Sequence, residues 1–148
     1  MKLLTSLKKP ISNIYGADLI PRIPPVKFET VVAAFQFQPE YISRIVSQFH
    51  EGVKDAEPEG IEALGRWICK RFLRAGMGLV LSRVKVFTRD LYYCYEEFAK
   101  FYPQQDAAMW QALEFAINPT ANVEEYLPLV KELGDFLAQE ADAVFGAA

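Results

Sequence analysis

Apolar residues recur at helical spacing through the middle of the chain, from Pro58 to about Arg83. One side of this stretch would carry Ile61, Leu64, Ile68, Phe72, Ala75 and Leu79. Because an α-helix turns once in about 3.6 residues, this spacing predicts a helix with one buried face. Beyond Arg74 the run AGMGLVLS is apolar all round, and Gly76 and Gly78 would weaken the helix unless they let another chain segment approach closely. The pattern predicts a helix in the middle of a bundle.

The first 27 residues differ from the rest of the chain. They contain Pro10, Pro21, Pro24 and Pro25, and each proline removes an amide donor and restricts the residue before it. We therefore expect residues 1–27 to form an extended or looped arm or linker. Apolar residues in 28–35 return to helical spacing, and Pro39 suits the first turn of a helix that runs to about Glu51. One broken helix or two short ones fit this stretch equally.

Three more helices are predicted after residue 87. Thr88 is a good N-cap because its hydroxyl can accept a hydrogen bond from a free amide of the first turn. Pro103 can open a following helix to about Ile117, and Asn122 with Glu125 has the spacing of a capping box for the last helix. On the helix after Thr88, the predicted core face carries Leu91, Cys94, Tyr95, Phe98, Phe101 and Tyr102. The opposite face carries Arg89, Tyr93, Glu96 and Lys100.

No stretch shows the sustained alternation of a β-strand. The chain has 148 residues and a hydrophobic content of 51%, which is enough for one domain with one core. We therefore predict an all-α fold: an antiparallel bundle of about five helices in residues 28–148, preceded by the irregular proline-rich arm.

Several kinds of chemistry are excluded or disfavoured by composition. A single histidine and two isolated cysteines provide no zinc ligand set and no readable Cys–His pair, so we predict no catalytic residue and no metal site. The net charge of −3 argues against general nucleic-acid binding. No run reaches the roughly 20 apolar residues of a membrane span. Cys69 and Cys94 are expected to be reduced core thiols, and the expected location is the cytoplasm.

Three cations follow one another at four-residue spacing on the outer face of the central helix. These residues are Arg66, Lys70 and Arg74, hereafter the basic stripe, and no acidic residue lies between Arg66 and Arg83. Such a row could hold a phosphate chain or an acidic partner. The alternative, which this spacing favours, is a solvated charged face, because cations four residues apart are common on exposed helices.

The stretch from Trp67 to Asn118 resembles the helical C-terminal region of a group of bacterial nucleotidyltransferase-like proteins. The residues that carry this resemblance are Lys70 and Arg71, the run Thr88–Tyr92, Tyr102 with Pro103, and Asn118 with Pro119. In addition, Ile14–Pro25 looks like the passage by which that family leaves its catalytic domain.

The catalytic domain of that family carries a Gly-Ser turn and an Asp-x-Asp pair that holds magnesium, and this sequence has neither. The resemblance therefore implies a non-catalytic half, split or truncated, that binds a substrate or a partner. It implies phosphate or nucleotide contacts by Arg66, Lys70, Arg74, Arg89 and Tyr93. It also implies a catalytic domain supplied in trans by a partner, which would bring Mg²⁺ and a nucleoside triphosphate; this chain alone needs no cofactor.

A second reading concerns Arg44 and His50. These two residues weakly resemble the arginine-to-histidine signature of HEPN-type ribonucleases, with five intervening residues instead of the usual four. Under this reading the chain is a stand-alone interaction protein of the HEPN-like toxin or antitoxin type, which assembles as a homodimer.

Overall fold

The computed structural model describes residues 37–84, 88 and 90–145, and in this part of the chain it contains five α-helices and no β-strand. The helices are α1 (Pro39–Val53), α2 (Pro58–Val84), α3 (Leu91–Phe101), α4 (Asp106–Ile117) and α5 (Val123–Phe145), with a short 3-10 turn at Pro103–Gln105. The predicted all-α bundle is confirmed. The arm, residues 1–27, and the apolar residues 28–35 lie outside the described residues. None of the described helices is long and apolar enough to cross a bilayer.

Helix α2 is the centre of the bundle, because all four other helices pack against it. Its residues from Ala75 to Leu81 are buried without interruption, which confirms the prediction from the AGMGLVLS run. Of the six residues predicted on its core face, Ile68, Phe72, Ala75 and Leu79 are buried, and Ile61 and Leu64 pack against the core from its edge. Cys69 and Cys94 are free and buried, as predicted.

Two glycines let neighbouring helices approach α2 closely. A methyl group on Gly76 would lie 2.9 Å from both Met109 Cε and Phe98 Cδ1, so this glycine has the packing role that the sequence predicted. A methyl group on Gly65 would overlap the ring of Tyr126 in α5. This second contact was not predicted from the sequence.

The contacts between helices fix their directions relative to α2. Helices α1 and α4 run opposite to α2, and α5 runs in the same sense. The pairs that define these directions are Tyr41–Arg71 and Gly52–Leu64 for α1, Met109–Gly76 and Phe115–Tyr126 for α4, and Tyr126–Gly65 and Phe72–Gly134 for α5. Consecutive helices are therefore antiparallel at α1–α2, α3–α4 and α4–α5.

Helix α3 runs in the same sense as α2. Phe98 packs at Gly76, and one turn later Phe101 lies beside Arg83, whose Cζ is 5.1 Å from the ring centroid. The chain therefore advances in one direction along both helices. This places the first turn of α3, which contains Tyr93, towards the middle of α2.

Two predicted details of α3 were wrong. The N-cap is Asp90 and not Thr88: its carboxylate accepts the amides of Tyr92 and Tyr93 at 2.9 and 3.3 Å. Thr88 lies two residues too early and instead accepts the Asp90 amide at 3.0 Å. Phe101 was predicted in the core but is 36% exposed, because it is the last residue of the helix and covers the Arg83 guanidinium rather than the bundle interior.

The predicted pairing of Asn122 with Glu125 at the start of α5 is confirmed. Asn122 Oδ1 accepts the Glu124 amide at 3.1 Å, and its Nδ2 donates to Glu125 Oε2 at 3.3 Å. Unlike a standard capping box, the Asn122 amide donates to Thr120 Oγ1, at 3.2 Å. Side chains thus cap the N-terminus of α5, where backbone amides have no partner within the helix.

Candidate functional site

The basic stripe lies on the outward face of α2, as its spacing predicted. Arg66 is exposed, and Lys70 and Arg74 are half-buried. The Nε atom of Arg74 is enclosed by surrounding atoms. Neither Arg66 nor Lys70 makes an ion pair with a described residue. Their charges are therefore available to a ligand or to solvent.

The charges around the stripe are arranged unevenly. Helix α2 has no acidic residue after Glu62, whereas the other described helices are rich in Asp and Glu. The described lysines outside α2 are all paired: Lys54 with Glu51 at 2.9 Å, Lys100 with Glu97 at 2.9 Å and Lys131 with Asp135 at 3.1 Å. Positive charge that no described carboxylate pairs therefore lies on α2, at Arg66 and Lys70, and on α1, at Arg44. An anion would be attracted to these charges.

Two more site residues were predicted, Arg89 and Tyr93. Arg89 lies outside the described residues. Tyr93 is half-buried in the first turn of α3, with its ring edge-on to Tyr92 at 5.7 Å between centroids. Since α3 runs in the same sense as α2, Tyr93 lies at about the same level along the bundle as Lys70 and Arg74. The fold therefore places Tyr93, Lys70 and Arg74 at one level along the bundle, which the sequence could not establish.

The structure also shows a group of residues that sequence reasoning did not assemble. Arg44, Tyr41, Arg71 and Trp67, hereafter the arginine–aromatic cluster, form a continuous row across α1 and α2. Arg44 Cζ lies 5.4 Å from the centroid of the Tyr41 ring. Arg71 Nη1 donates to the Tyr41 hydroxyl at 3.1 Å, and Arg71 Cζ lies 5.6 Å from the centroid of the Trp67 ring.

Part of this cluster was visible in the sequence. Trp67 and Arg71 are four residues apart in one helix, and Tyr41 and Arg44 are three apart in another, so each pair faces the same way. What joins the pairs is the hydrogen bond between Arg71 and Tyr41, across 30 residues of chain. Trp67 packs against the core but keeps part of its surface exposed beside Arg71.

Three tyrosine hydroxyl groups join parts of the bundle through hydrogen bonds. Tyr95 donates to Asp106 Oδ1 at 2.6 Å, and this hydrogen bond, with burial, raises the pKa of Tyr95 to about 12. Burial and a 2.9 Å hydrogen bond to Glu140 raise the pKa of Tyr102 to about 12. Burial also raises the pKa of Tyr126. These phenols are therefore neutral at physiological pH and act as structural links.

The residues of the second reading, Arg44 and His50, do not converge. Both are exposed on α1. Residues six apart point about 120° away from each other around a helix axis. Arg44 lies against Tyr41, and the His50 ring lies edge-on to Phe49 at 5.8 Å between centroids. Within one chain they do not form a joint site.

Among the described residues there is no group of three or more His, Cys, Asp or Glu side chains placed to hold a metal ion. Comparison with models of protein families, with curated proteins and with solved structures gave no match for this chain.

Proposed function

We propose that this protein is a non-catalytic helical binding domain, similar in role to the C-terminal half of a nucleotidyltransferase, which holds a phosphate-bearing ligand on the basic stripe. The observation that carries the proposal is that exposed Arg66 and half-buried Lys70 make no ion pair with a described residue. Both lie beyond Glu62, the last acidic residue of α2. Tyr93, at the same level of the bundle, adds a hydroxyl group and a ring.

The chemistry of the stripe suits phosphate. Arginine offers a planar fork of donors that matches two phosphate oxygens, and lysine acts as a compact positive charge. Hydrogen bonds to charged groups contribute about 1.5–3 kcal/mol each when desolvated, and less on an open surface. Two or three such contacts are sufficient for weak, salt-sensitive binding of a triphosphate.

The proposal assigns bond formation to a second chain. A catalytic domain with paired carboxylates would hold the metal ion and the reacting phosphate, and the stripe would contact the same ligand from the other side. The isolated chain is therefore expected to bind a nucleotide without transferring it. Release of pyrophosphate by the purified chain, lost when one of its own acidic residues is replaced, would contradict this assignment.

A calorimetric titration with ATP and magnesium tests the binding role. The variant Arg66→Gln/Lys70→Gln removes the two stripe charges that make no ion pair with a described residue. Lys54→Gln/Lys131→Gln is the matched control, which removes two exposed charges elsewhere. We expect the stripe variant to bind about tenfold more weakly or worse, from about 1 kcal/mol for each lost contact, and the control to bind like the wild type. Added salt should weaken the wild type in the same direction.

Equal affinities for the stripe variant and the wild type, or no binding by the wild type at millimolar ATP, would contradict the proposal. The stripe would then be a solvated face or a protein-docking surface. In that case the stand-alone homodimeric reading becomes the better one, and measurement of the mass of the protein in solution would test it.

A further inference from the structure

We propose that the arginine–aromatic cluster, together with Arg66 and Lys70, binds a short stretch of single-stranded nucleic acid. This inference rests on the proposed function, because it names the class of ligand that the basic face of α2 receives.

The row alternates guanidinium groups with aromatic rings. It runs from Arg44 over Tyr41 to Arg71, which is tied to the Tyr41 hydroxyl and lies over Trp67. Both arginines are exposed, and both rings are partly exposed. Arg71 uses one of its N–H groups on Tyr41, and the guanidinium has five in total. The tyrosine therefore orients the arginine and leaves donors for a phosphate.

The row is continuous with the basic stripe. On α2, Lys70 and Arg71 follow Trp67 by three and four residues, which are the positions next to it on a helix surface. Arg66 precedes it directly in sequence. One turn earlier the exposed residue is Ala63, whose methyl group covers little of the tryptophan. Rings for stacking and cations for phosphates thus lie on one surface.

This combination fits a single strand better than other anions. Every base has a flat face that stacks on an aromatic ring or on a guanidinium, so stacking needs no particular sequence. In a duplex those faces are already stacked on each other. An acidic peptide would use the charges but not the rings. The acidic residues Glu59 and Glu62 limit the surface at one end of α2, so only a few nucleotides would be held.

The test is fluorescence anisotropy of a labelled, unstructured oligonucleotide of about ten nucleotides, in RNA and DNA forms. Arg71→Gln and Trp67→Leu remove the two members of the row that lie on α2. Arg83→Gln is the matched control, because Arg83 is also exposed on α2 and also lies over a ring, that of Phe101. We expect about a tenfold loss of affinity for each of the first two variants, and wild-type affinity for Arg83→Gln. Circular dichroism of each variant confirms that it is folded.

Three controls separate this inference from the proposed function. Tripolyphosphate and ATP probe the stripe without a strand. Suppose that tripolyphosphate and ATP both bind, with affinities that depend on Arg66 and Lys70, but that the oligonucleotide binds no tighter than ATP. The inference of a single-stranded ligand is then wrong, and the proposed function stands. A duplex that binds as tightly as the single strand, or equal effects of Arg71→Gln and Arg83→Gln, would also overturn it. For three neutralised phosphates, the affinity should fall with salt at a logarithmic slope of about −2; a slope near zero would refute phosphate contact.

Discussion

Replacing Gly65 by alanine should destabilise the protein, although alanine is the better helix former. Gly65 faces the ring of Tyr126, and a methyl group at this position would overlap the ring carbons and the phenol oxygen. Tyr126 is completely buried. Its hydroxyl donates to Thr120 O at 2.6 Å and accepts from Thr120 N at 2.8 Å. The ring therefore cannot move away without breaking both hydrogen bonds.

The size of the effect follows from these contacts. Overpacking a well-filled core costs roughly 1–3 kcal/mol, and each lost hydrogen bond costs about 1 kcal/mol. Alanine returns about 1 kcal/mol through its helix propensity. The free energy of unfolding should fall by about 1–4 kcal/mol, which for a chain of this size lowers Tm by roughly 3–12 °C.

Thermal and urea unfolding, followed by circular dichroism, measure this difference. Gly60→Ala is the matched control on the same helix, because its methyl group would meet only Ala56 Cβ, at 3.3 Å. We expect this control to change the free energy of unfolding by less than about 1 kcal/mol. A Gly65→Ala protein with the Tm of the wild type or higher would refute the packing argument.

Three further predictions concern the N-cap of α3, the loss of stability at alkaline pH and the buried thiol of Cys69. Asp90→Ala should lower the free energy of unfolding by about 1 kcal/mol, measured with urea, because it removes the acceptor of two amides. Thr88→Ala removes the acceptor of only one amide and should lower it less. The reverse order would contradict the assigned cap. Tyr102 has a pKa of about 12 in the folded protein against an ordinary value of 10.0, so the folded state keeps a proton that the unfolded state loses. Its contribution to stability is complete below pH 10 and declines as the pH rises from 10 to about 12, and Tyr102→Phe should flatten that decline, measured by urea unfolding at several pH values. Burial raises the pKa of the Cys69 thiol to about 12, so an alkylating reagent at neutral pH should label it only as fast as the protein unfolds, and rapid labelling of the native protein would contradict its burial.

Much of the secondary structure could be predicted from the sequence. The predicted range of the central helix, from Pro58 to about Arg83, ends one residue before the observed end of α2 at Val84. The agreement is close because Pro58 marks the start of the helix and the helical period of the apolar residues marks its length. The N-cap of α3 was misplaced because Thr88 and Asp90 are both good caps, and only the geometry of the turn decides between them. The direction of α3 was not predictable either, since the sequence between Val84 and Leu91 carries no signal of which way the next helix points.

The candidate site, like the fold, was predictable from the sequence only in part. The outward position of the basic stripe follows from helical spacing alone. The arginine–aromatic cluster depends on a hydrogen bond between Arg71 and Tyr41, and nothing local to either residue indicates the other. The contact of Gly65 with Tyr126 was missed for the same reason. Sequence reasoning predicted which residues share one face of a helix and that Gly76 lies at a close contact, but it did not identify the partners of the contacts between helices.

The two close glycine contacts have a consequence for how tightly the stripe can bind. Gly65 is seated against α5, and Gly76 against α3 and α4. A translation or rotation of α2 would bring its backbone into steric clash with those side chains. The position of the helix is therefore fixed before a ligand binds. Binding then has to immobilise only the side chains of Arg66 and Lys70, at a cost of up to about 2 kcal/mol each in lost rotamer freedom. No free energy is needed to order the backbone, so even a small number of phosphate contacts can yield a measurable affinity.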